Sequence, residues 1–139
     1  AADLLSANLS VQGLPLIKPP YSRITAIDLK TGEHLWWIPI GETPDRIRNH
    51  PALQGIDIGE TGTGGNAPMV VTPNMLIYGS ESSDGTPALF AVDKMTGRQV
   101  GKISLPELQK REIFRREYEG RTLRENLGLP RPKNRFFEG

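Results

Sequence analysis

One short pattern occurs twice in this chain, and it constrains the fold more than any other feature of the sequence. Residues 24–40 read ITAIDLKTGEHLWWIPI, and residues 89–105 read LFAVDKMTGRQVGKISL. Aligned without gaps, the two stretches are identical at five positions: Ala26/Ala91, Asp28/Asp93, Thr31/Thr96, Gly32/Gly97 and Ile38/Ile103. Repetition of a strand–turn–strand unit indicates a propeller or another radial array of β-sheets.

The residue types that the two copies share suit a tight β-hairpin. The Asp carboxylate and the Thr hydroxyl can accept hydrogen bonds from the turn that follows, and the Gly can adopt a positive φ. An Ala in the strand lets a neighbouring sheet approach closely. Trp36 adds a flat face that can pack on an adjacent blade and an N–H that can bond to its backbone. The second copy has Gly101 at this position, so we expect the contact to be missing on one side.

Apolar runs bounded by Gly, Pro, Asn and Asp predict six strands and an all-β fold. The predicted strands are 23–29, 34–40, 69–72, 75–79, 88–93 and 99–105. The connections 30–33 and 94–98 are short and contain a glycine, so each predicts a hairpin. The 15 Gly and 12 Pro residues also favour turns and strands over a helical bundle.

The composition of the chain changes at Pro106. Residues 1–106 carry 8 Lys and Arg against 10 Asp and Glu, a net charge of −2, whereas residues 107–139 carry 9 against 6, a net charge of +3. We therefore divide the chain into a β body, 1–106, and a charged tail, 107–139.

The tail is predicted to be partly helical or disordered. Residues 104–107 fit a helix capping box with a proline in the first turn. A loose apolar stripe follows at Leu105, Leu108 and Phe114, and Gly128 and Pro130 are stop signals. Two interpretations remain open: a solvated tail, and a docked helix that covers a sheet edge.

Composition argues against several classes of partner. The net charge of +1 gives no reason to expect nucleic acid or an anionic membrane surface as a partner. No apolar run approaches the roughly 20 residues that a membrane helix needs. The chain has no cysteine, so disulfides do not report its redox compartment. It begins with Ala1 rather than Met, which we interpret as processing or as a fragment.

Two groups of polar residues are weak site candidates. His34 and His50 have no second ligand at metal-binding spacing, so turn or surface roles are favoured. Asp45, Arg46 and Arg48 could bind an anion, but a polar insertion loop is the simpler interpretation.

The first copy resembles a known motif. The pattern A-x-D-x-x-T-G-x-x-x-W at 26–36 resembles the tryptophan-docking motif of quinoprotein dehydrogenases, which use pyrroloquinoline quinone (PQQ). Residues 13–39, GLPLIKPPYSRITAIDLKTGEHLWWIP, are similar to the penultimate blade of the membrane-type glucose dehydrogenase branch, and 66–79 with 88–103 are similar to its last blade. The resemblance covers about residues 10–106. It implies a C-terminal fragment with about two blades of an eight-bladed propeller.

The resemblance also implies a function. Members of the family are periplasmic enzymes in which a sugar or alcohol transfers a hydride to PQQ, beside Ca²⁺ or a similar ion, before electrons pass to a quinone or a cytochrome. The metal ligands and the catalytic base lie in earlier blades, so no catalytic or metal-binding residue is assigned here and the isolated chain is expected to be inactive.

The segment that the family brings towards the PQQ ring corresponds to Gly64, Gly65 and Asn66. Glycines allow the backbone to approach a flat ligand, and an asparagine amide could bond to a quinone oxygen or a carboxylate. The alternative is an ordinary glycine-rich loop.

The tail departs from the resemblance. The family continues after Pro106 with a segment that closes the ring, but this chain reads ELQKREIFRREYEG. A truncated gene, a frameshift and a genuine replacement all remain open.

A second hypothesis is a noncatalytic propeller-repeat module that scaffolds proteins, as PQQ-like repeats do in outer-membrane assembly factors. The stretch GLPLIKPPY and the long insertion at 41–63 favour the dehydrogenase. In either case, two blades alone leave sheet edges and blade faces bare, so we expect self-association or partial unfolding.

Overall fold

A computed structural model describes residues 10–117 and 119–130 of the chain, which are built mainly from short strands. The strands are β1 (Ser10–Val11), β2 (Leu14–Pro15), β3 (Arg23–Ile27), β4 (His34–Pro39), β5 (Met69–Val71), β6 (Met75–Glu81), β7 (Pro87–Asp93) and β8 (Gln99–Ser104). The α-helices are α1 (Asp45–Arg48), α2 (Leu105–Lys110) and α3 (Leu123–Asn126), and Pro51–Leu53 forms one turn of 3₁₀ helix.

These strands form three antiparallel sheets. β1 pairs with β2, β3 pairs with β4, and β5 to β8 form one four-stranded sheet in chain order. A four-stranded meander of this kind is a propeller blade, and the β3–β4 hairpin supplies two strands of another. All six predicted strands are present with ends shifted by one or two residues, whereas the sequence does not predict the two-residue pair β1–β2.

Both copies of the repeat fold as the same hairpin. Asp28 Oδ1 accepts a backbone N–H within its turn at 2.7 Å, and Asp93 Oδ1 accepts one at 2.9 Å. The glycines that close the turns have positive φ angles of 76° at Gly32 and 71° at Gly97. Each hairpin also has a bulge just after the repeated alanine, where one residue of the second strand, Leu35 or Val100, has no partner in the register. The shared residues therefore make the same local structure twice.

The core lies between the β3–β4 hairpin and the four-stranded sheet. Its buried side chains alternate along the strands, which directs one face of each strand inward. They are Ile24, Ile40, Leu76, Tyr78, Ala88, Phe90 and Val92, with Trp36, Ile38 and Ala67 packed against them. The rings of Tyr78 and Phe90, which are cross-strand partners, stack with centroids 5.2 Å apart and planes 10° apart.

The outward faces of this pair of sheets are apolar and open. On the four-stranded sheet, Val70 is 64% exposed, and Met75 and Leu89 are exposed as well. On the hairpin, Leu35 and Trp37 are each 53% exposed. Apolar faces of this kind are expected where blades lack their neighbours in an array.

The tail begins with a docked helical turn. Ser104 Oγ accepts the N–H of Glu107 at 3.4 Å, which caps α2 at the predicted position. α2 contacts β7 and β8, and Leu108 is buried. The helix ends at Lys110, so the predicted apolar stripe does not extend to Phe114, which is exposed.

Candidate functional site

The seam between the two blades is anchored by Trp36. Its indole Nε1 donates a hydrogen bond to the carbonyl oxygen of Lys94 at 3.0 Å. Its ring lies over Gly97, where an added Cβ would stand 2.8 Å from the ring atom Cδ2. Position 97 therefore needs a glycine for two separate reasons, its positive φ and the ring above it.

The second hairpin has no such anchor. Gly101 takes the position of the tryptophan, opposite Ala91 on the neighbouring strand. A Cβ added at Gly101 would meet only the Ala91 Cβ, at 4.0 Å. The turn of the first hairpin is open too, since no heavy atom of the described residues lies within 4 Å of a Cβ added at Gly32.

A charged cluster lies beside the same seam. Lys102 Nζ lies 2.6 Å from Glu42 Oε1 and 5.7 Å from the centre of the Phe90 ring. The second oxygen of Glu42 accepts the N–H of Ser83 at 2.9 Å. The hydrogen bond from Lys102 is the main reason that the pKa of Glu42 is lowered, against a smaller opposite effect of burial. The cluster fixes the start of the insertion loop to the blade.

Burial acts on a second titratable group at the seam. Tyr78 is 4% exposed, and this burial raises the pKa of its phenol, although a hydrogen bond from the Gly41 N–H partly offsets the effect. Tyr78 therefore stays neutral at ordinary pH and serves as a packing residue.

The insertion at 41–63 is held by buried threonines. Thr43 and Thr61 are 0% and 1% exposed. The hydroxyl of Thr43 accepts the N–H of Thr61 at 2.9 Å and donates to Glu60 Oε2 at 3.0 Å. Glu60 also pairs with Arg48 at 3.3 Å. Arg48 is thereby bound within the loop, and Asp45 and Arg46 lie with it in α1.

The two histidines take structural positions. Nδ1 of His50 accepts the N–H of Ala52 at 3.2 Å and caps the 3₁₀ turn, while Nε2 lies 2.9 Å from the carbonyl oxygen of Gln12. His34 is exposed at the start of β4. Both positions agree with the turn and surface roles that the sequence favours.

The predicted cofactor segment lies directly before β5. Gly64 and Gly65 have φ angles of 86° and 80°, and Gly65 and Asn66 are exposed. A Cβ at Gly65 would meet no heavy atom of the described residues within 4 Å. The segment therefore presents bare backbone and one amide side chain, which can take the edge of a flat ligand. It brings no charged group into the same place.

A cleft of about 660 Å³ opens along the seam near the charged cluster. Its wall includes Tyr78, Gly97 and Glu42. The sequence does not reveal it, because it is lined by residues that are far apart in the chain and make no local pattern. Glu42 and Glu60, two of the carboxylates on its wall, already bind Lys102 and Arg48.

Two further properties concern the part of the chain that the structure describes. It contains no group of three or more His, Cys, Asp or Glu side chains that could hold a metal ion. None of its helices combines the length and the apolar character that crossing a bilayer requires.

Comparison with known proteins gives one family match that covers most of the chain. The family described as glucose/ethanol/alcohol dehydrogenase, β-propeller domain (PQQ), matches residues 2–121. No solved structure matches the chain.

Two curated relatives are similar over most of the chain. A probable quinate dehydrogenase (quinone) of Xanthomonas campestris pv. juglandis is 34% identical over 102 residues, which is 70% of this chain and 12% of that protein. Quinoprotein glucose dehydrogenase A of Acinetobacter calcoaceticus is 30% identical over 102 residues, 73% of this chain and 12% of that protein. The chain thus spans about an eighth of the length of these relatives.

A third relative is of another kind. Nitrilotriacetate monooxygenase component A of Aminobacter aminovorans is 73% identical over 30 residues, which is 22% of this chain and 7% of that protein. This short match has more than twice the identity of the two long ones.

Proposed function

This chain belongs to the PQQ-linked glucose/ethanol/alcohol dehydrogenase β-propeller family, and we propose that it is a C-terminal part of a sugar or alcohol dehydrogenase. In the whole enzyme, a substrate hydroxyl group is oxidised by hydride transfer to PQQ, and a quinone or a cytochrome takes the electrons. The proposed site of this activity is the periplasm, at the membrane. The proposal rests mainly on the contact between Trp36 and the turn of the next hairpin. This contact joins two successive repeats in the way that propeller blades are joined.

In that enzyme, this chain is proposed to supply propeller blades and no catalytic residue. The metal ligands and the catalytic base are proposed to come from blades outside it. We therefore expect the purified chain, supplied with PQQ and Ca²⁺, to oxidise neither glucose nor quinate. Reduction of an artificial electron acceptor above the rate without protein would contradict this.

One segment is proposed to contact the cofactor. Gly64, Gly65 and Asn66 fit one edge of PQQ, because the two glycines leave the backbone open and the exposed amide can donate and accept hydrogen bonds. PQQ supplies the two-electron acceptor chemistry when it is bound, and this segment orients it.

Fluorescence of Trp36 and Trp37 tests this contact in the full chain. We expect PQQ to quench the fluorescence saturably, and Asn66→Ala to remove the saturable part. Asn74→Ala is the matched control, since Asn74 is also exposed and lies at the opposite end of β5. Quenching that is absent from folded chain, or equal in both variants, would refute the contact and leave the family assignment untouched.

The open turn of the first hairpin is proposed to receive the blade before it. Leu29 and Gly32 hold the positions in the first repeat that Lys94 and Gly97 hold in the second. Since Gly32 has free space above it, the Leu29 carbonyl and the Gly32 backbone can accept an indole ring from outside this chain.

Bare blade faces are proposed to make the isolated chain associate with itself. Exposed apolar side chains on both outward faces, such as Val70 and Trp37, support this. Sedimentation velocity over a range of concentrations should show species larger than a monomer. A single monomer with a sharp cooperative melt would contradict the proposal.

The scaffold alternative is not favoured. The two relatives that match 70% and 73% of this chain are named as dehydrogenases, and they are 34% and 30% identical over 102 residues. Among the described residues, no feature of the seam or of the insertion at 41–63 favours a protein-binding module over a dehydrogenase.

A further inference from the structure

The cleft along the seam has the volume of a small-molecule site, about 660 Å³. One wall is formed by the end of β4 and the insertion, and the other by the four-stranded sheet and its turns. None of residues 64–66 lines it, so it is separate from the segment proposed to contact PQQ. A ligand of this cleft would therefore be a second ligand of the chain.

Two of the three carboxylates on the wall of the cleft are already neutralised. Glu42 Oε1 pairs with Lys102 at 2.6 Å, and Glu60 Oε1 pairs with Arg48 at 3.3 Å. The third carboxylate, that of Asp45, forms no ion pair and no side-chain hydrogen bond with the described residues. The cleft therefore keeps one unpaired negative charge.

Tyr78 adds an unused hydrogen-bond donor to the same cleft. It is only 4% exposed, and its hydroxyl lies beside the Gly41 N–H and near the Glu42 carboxylate, both of which belong to the wall. The Gly41 N–H is directed at the phenol oxygen, but the O–H proton has no acceptor among the described residues. A donor that is buried to this degree favours a ligand atom that can accept it.

Two uncharged side chains, Gln99 and Ser83, line the cleft as well. Within the described part of the chain, neither the amide of Gln99 nor the hydroxyl of Ser83 is engaged in a hydrogen bond. Each group can both donate and accept, which suits the hydroxyl groups of a ligand. Ile38, Pro39 and Val92 also line the cleft, so the polar groups stand along a partly apolar surface.

We propose that the seam cleft binds a small amino alcohol, a compound that carries a protonated amine and neighbouring hydroxyl groups. The ammonium group pairs with the Asp45 carboxylate, and a ligand hydroxyl accepts the O–H of Tyr78. The free amide and hydroxyl on the wall bond to the other hydroxyls of the ligand. An anion is disfavoured, because Arg48 is already bound to Glu60 and the remaining charge of the cleft is negative.

Three probes of nearly the same size separate the two parts of this recognition. Tris has an ammonium group and hydroxyls, tert-butylamine has the ammonium group alone, and tris(hydroxymethyl)ethane has the hydroxyls alone. Each is titrated into the full 139-residue chain at pH 7 in phosphate buffer and followed by ligand-observed NMR. Tris should bind saturably in the millimolar range, and each of the other two should bind about tenfold more weakly. Equal affinity of Tris and either other probe, or no saturable binding of Tris, would overturn the proposal.

A substitution at Asp45 tests the charged contact. Asp45→Asn should weaken the binding of Tris about tenfold and leave that of tris(hydroxymethyl)ethane unchanged, because only the ammonium group uses the charge. Asp57→Asn is the matched control, since Asp57 is an exposed residue of the same insertion that does not line the cleft. An equal loss in both variants would be a general effect of charge and would contradict a site in the cleft.

A substitution at Tyr78 tests the buried donor. Tyr78→Phe removes the hydroxyl and keeps the ring that stacks on Phe90, so it should weaken the binding of Tris about threefold or more. Tyr21→Phe removes the same atom outside the cleft and should have no effect. No loss in Tyr78→Phe, or the same loss in Tyr21→Phe, would refute the role of this hydroxyl.

Circular dichroism shows whether each variant is folded. If a variant unfolds, the three probes on the unchanged chain still decide the proposal, since they need no substitution. These measurements do not depend on PQQ, so their outcome leaves the proposed dehydrogenase function untouched.

Discussion

The two hairpins of this chain fold alike, but only the first one has a tryptophan that contacts the turn of the next blade. Both have an aspartate that accepts hydrogen bonds within the turn and a glycine at positive φ. At the strand position that makes the contact between blades, the first has Trp36 and the second has Gly101. The local structure is thus independent of the contact between blades, and one side chain determines whether a hairpin is joined to the next blade.

The largest expected effect comes from removing that side chain. Trp36→Ala should lower the free energy of unfolding by about 3 kcal/mol, because it removes the indole hydrogen bond and the packing over Gly97. Trp37→Ala removes the same chemical group from the open face and should cost about 0.5 kcal/mol or less. Urea unfolding monitored by circular dichroism measures both. Equal losses of stability in the two variants would show that the contact of Trp36 at the seam does not contribute more than an exposed tryptophan does.

The next effect compares the two turn glycines. Gly32→Ala should cost about 1 kcal/mol, the strain of alanine at positive φ, since the space above Gly32 is open. Gly97→Ala should cost about 2 to 3 kcal/mol, because its Cβ would also collide with the Trp36 ring. In a Trp36→Ala background the two costs should become equal. A difference that persists there would assign the extra cost to something other than the indole.

A smaller effect depends on pH. The pKa of Glu42 is lowered in the folded chain, so its contact with Lys102 stabilises the fold above the ordinary pKa of about 4.5 and is lost as the pH falls through the lowered folded value. Both side chains are about one-third exposed, so we expect less than about 1 kcal/mol.

Unfolding measured from pH 7 down to pH 3 should therefore show a smaller decrease in Glu42→Gln than in the unchanged chain. The control is Glu33→Gln, at an exposed turn position. The same decrease in all three proteins would mean that the Glu42 contact does not contribute.

The smallest effect comes from supplying the missing side chain. Gly101→Trp should change the stability of the monomer by less than about 0.5 kcal/mol, because among the described residues only the Ala91 Cβ comes within 4 Å of a Cβ at this position, so no turn lies there to accept the indole. A large increase in stability would mean that the second hairpin has an acceptor within this chain.

Sequence reasoning works well where the interacting residues are close together in the chain. The Asp28 turn, the Gly32 conformation and the Ser104 cap all depend on contacts within a few residues, and the sequence predicts each of them. It misses contacts between distant residues. Lys102 and Glu42 are 60 positions apart, and neither lies in a pattern that points to the other.

The candidate cofactor segment is an intermediate case. The sequence predicts that its glycines allow the backbone to approach a flat ligand, and in the structure Gly64 and Gly65 have positive φ angles that only glycine adopts readily. What Asn66 contacts stays a prediction, because the surface that would face it does not come from the described residues. The apolar stripe that the sequence places on the tail fails beyond α2, since spacing alone does not show that the helix ends at Lys110.

Gly101 gives this pair of blades a direction. An array in which every repeat both offers an indole and accepts one can add repeats at either side. Here the first hairpin offers an indole and is proposed to accept one, whereas the second accepts only, so the indole contacts of this pair can continue on the side of the first hairpin but not on the side of the second. Gly101 thus acts on the series of indole contacts as a chain terminator acts on a growing polymer. The hairpin that contains it keeps the same local structure.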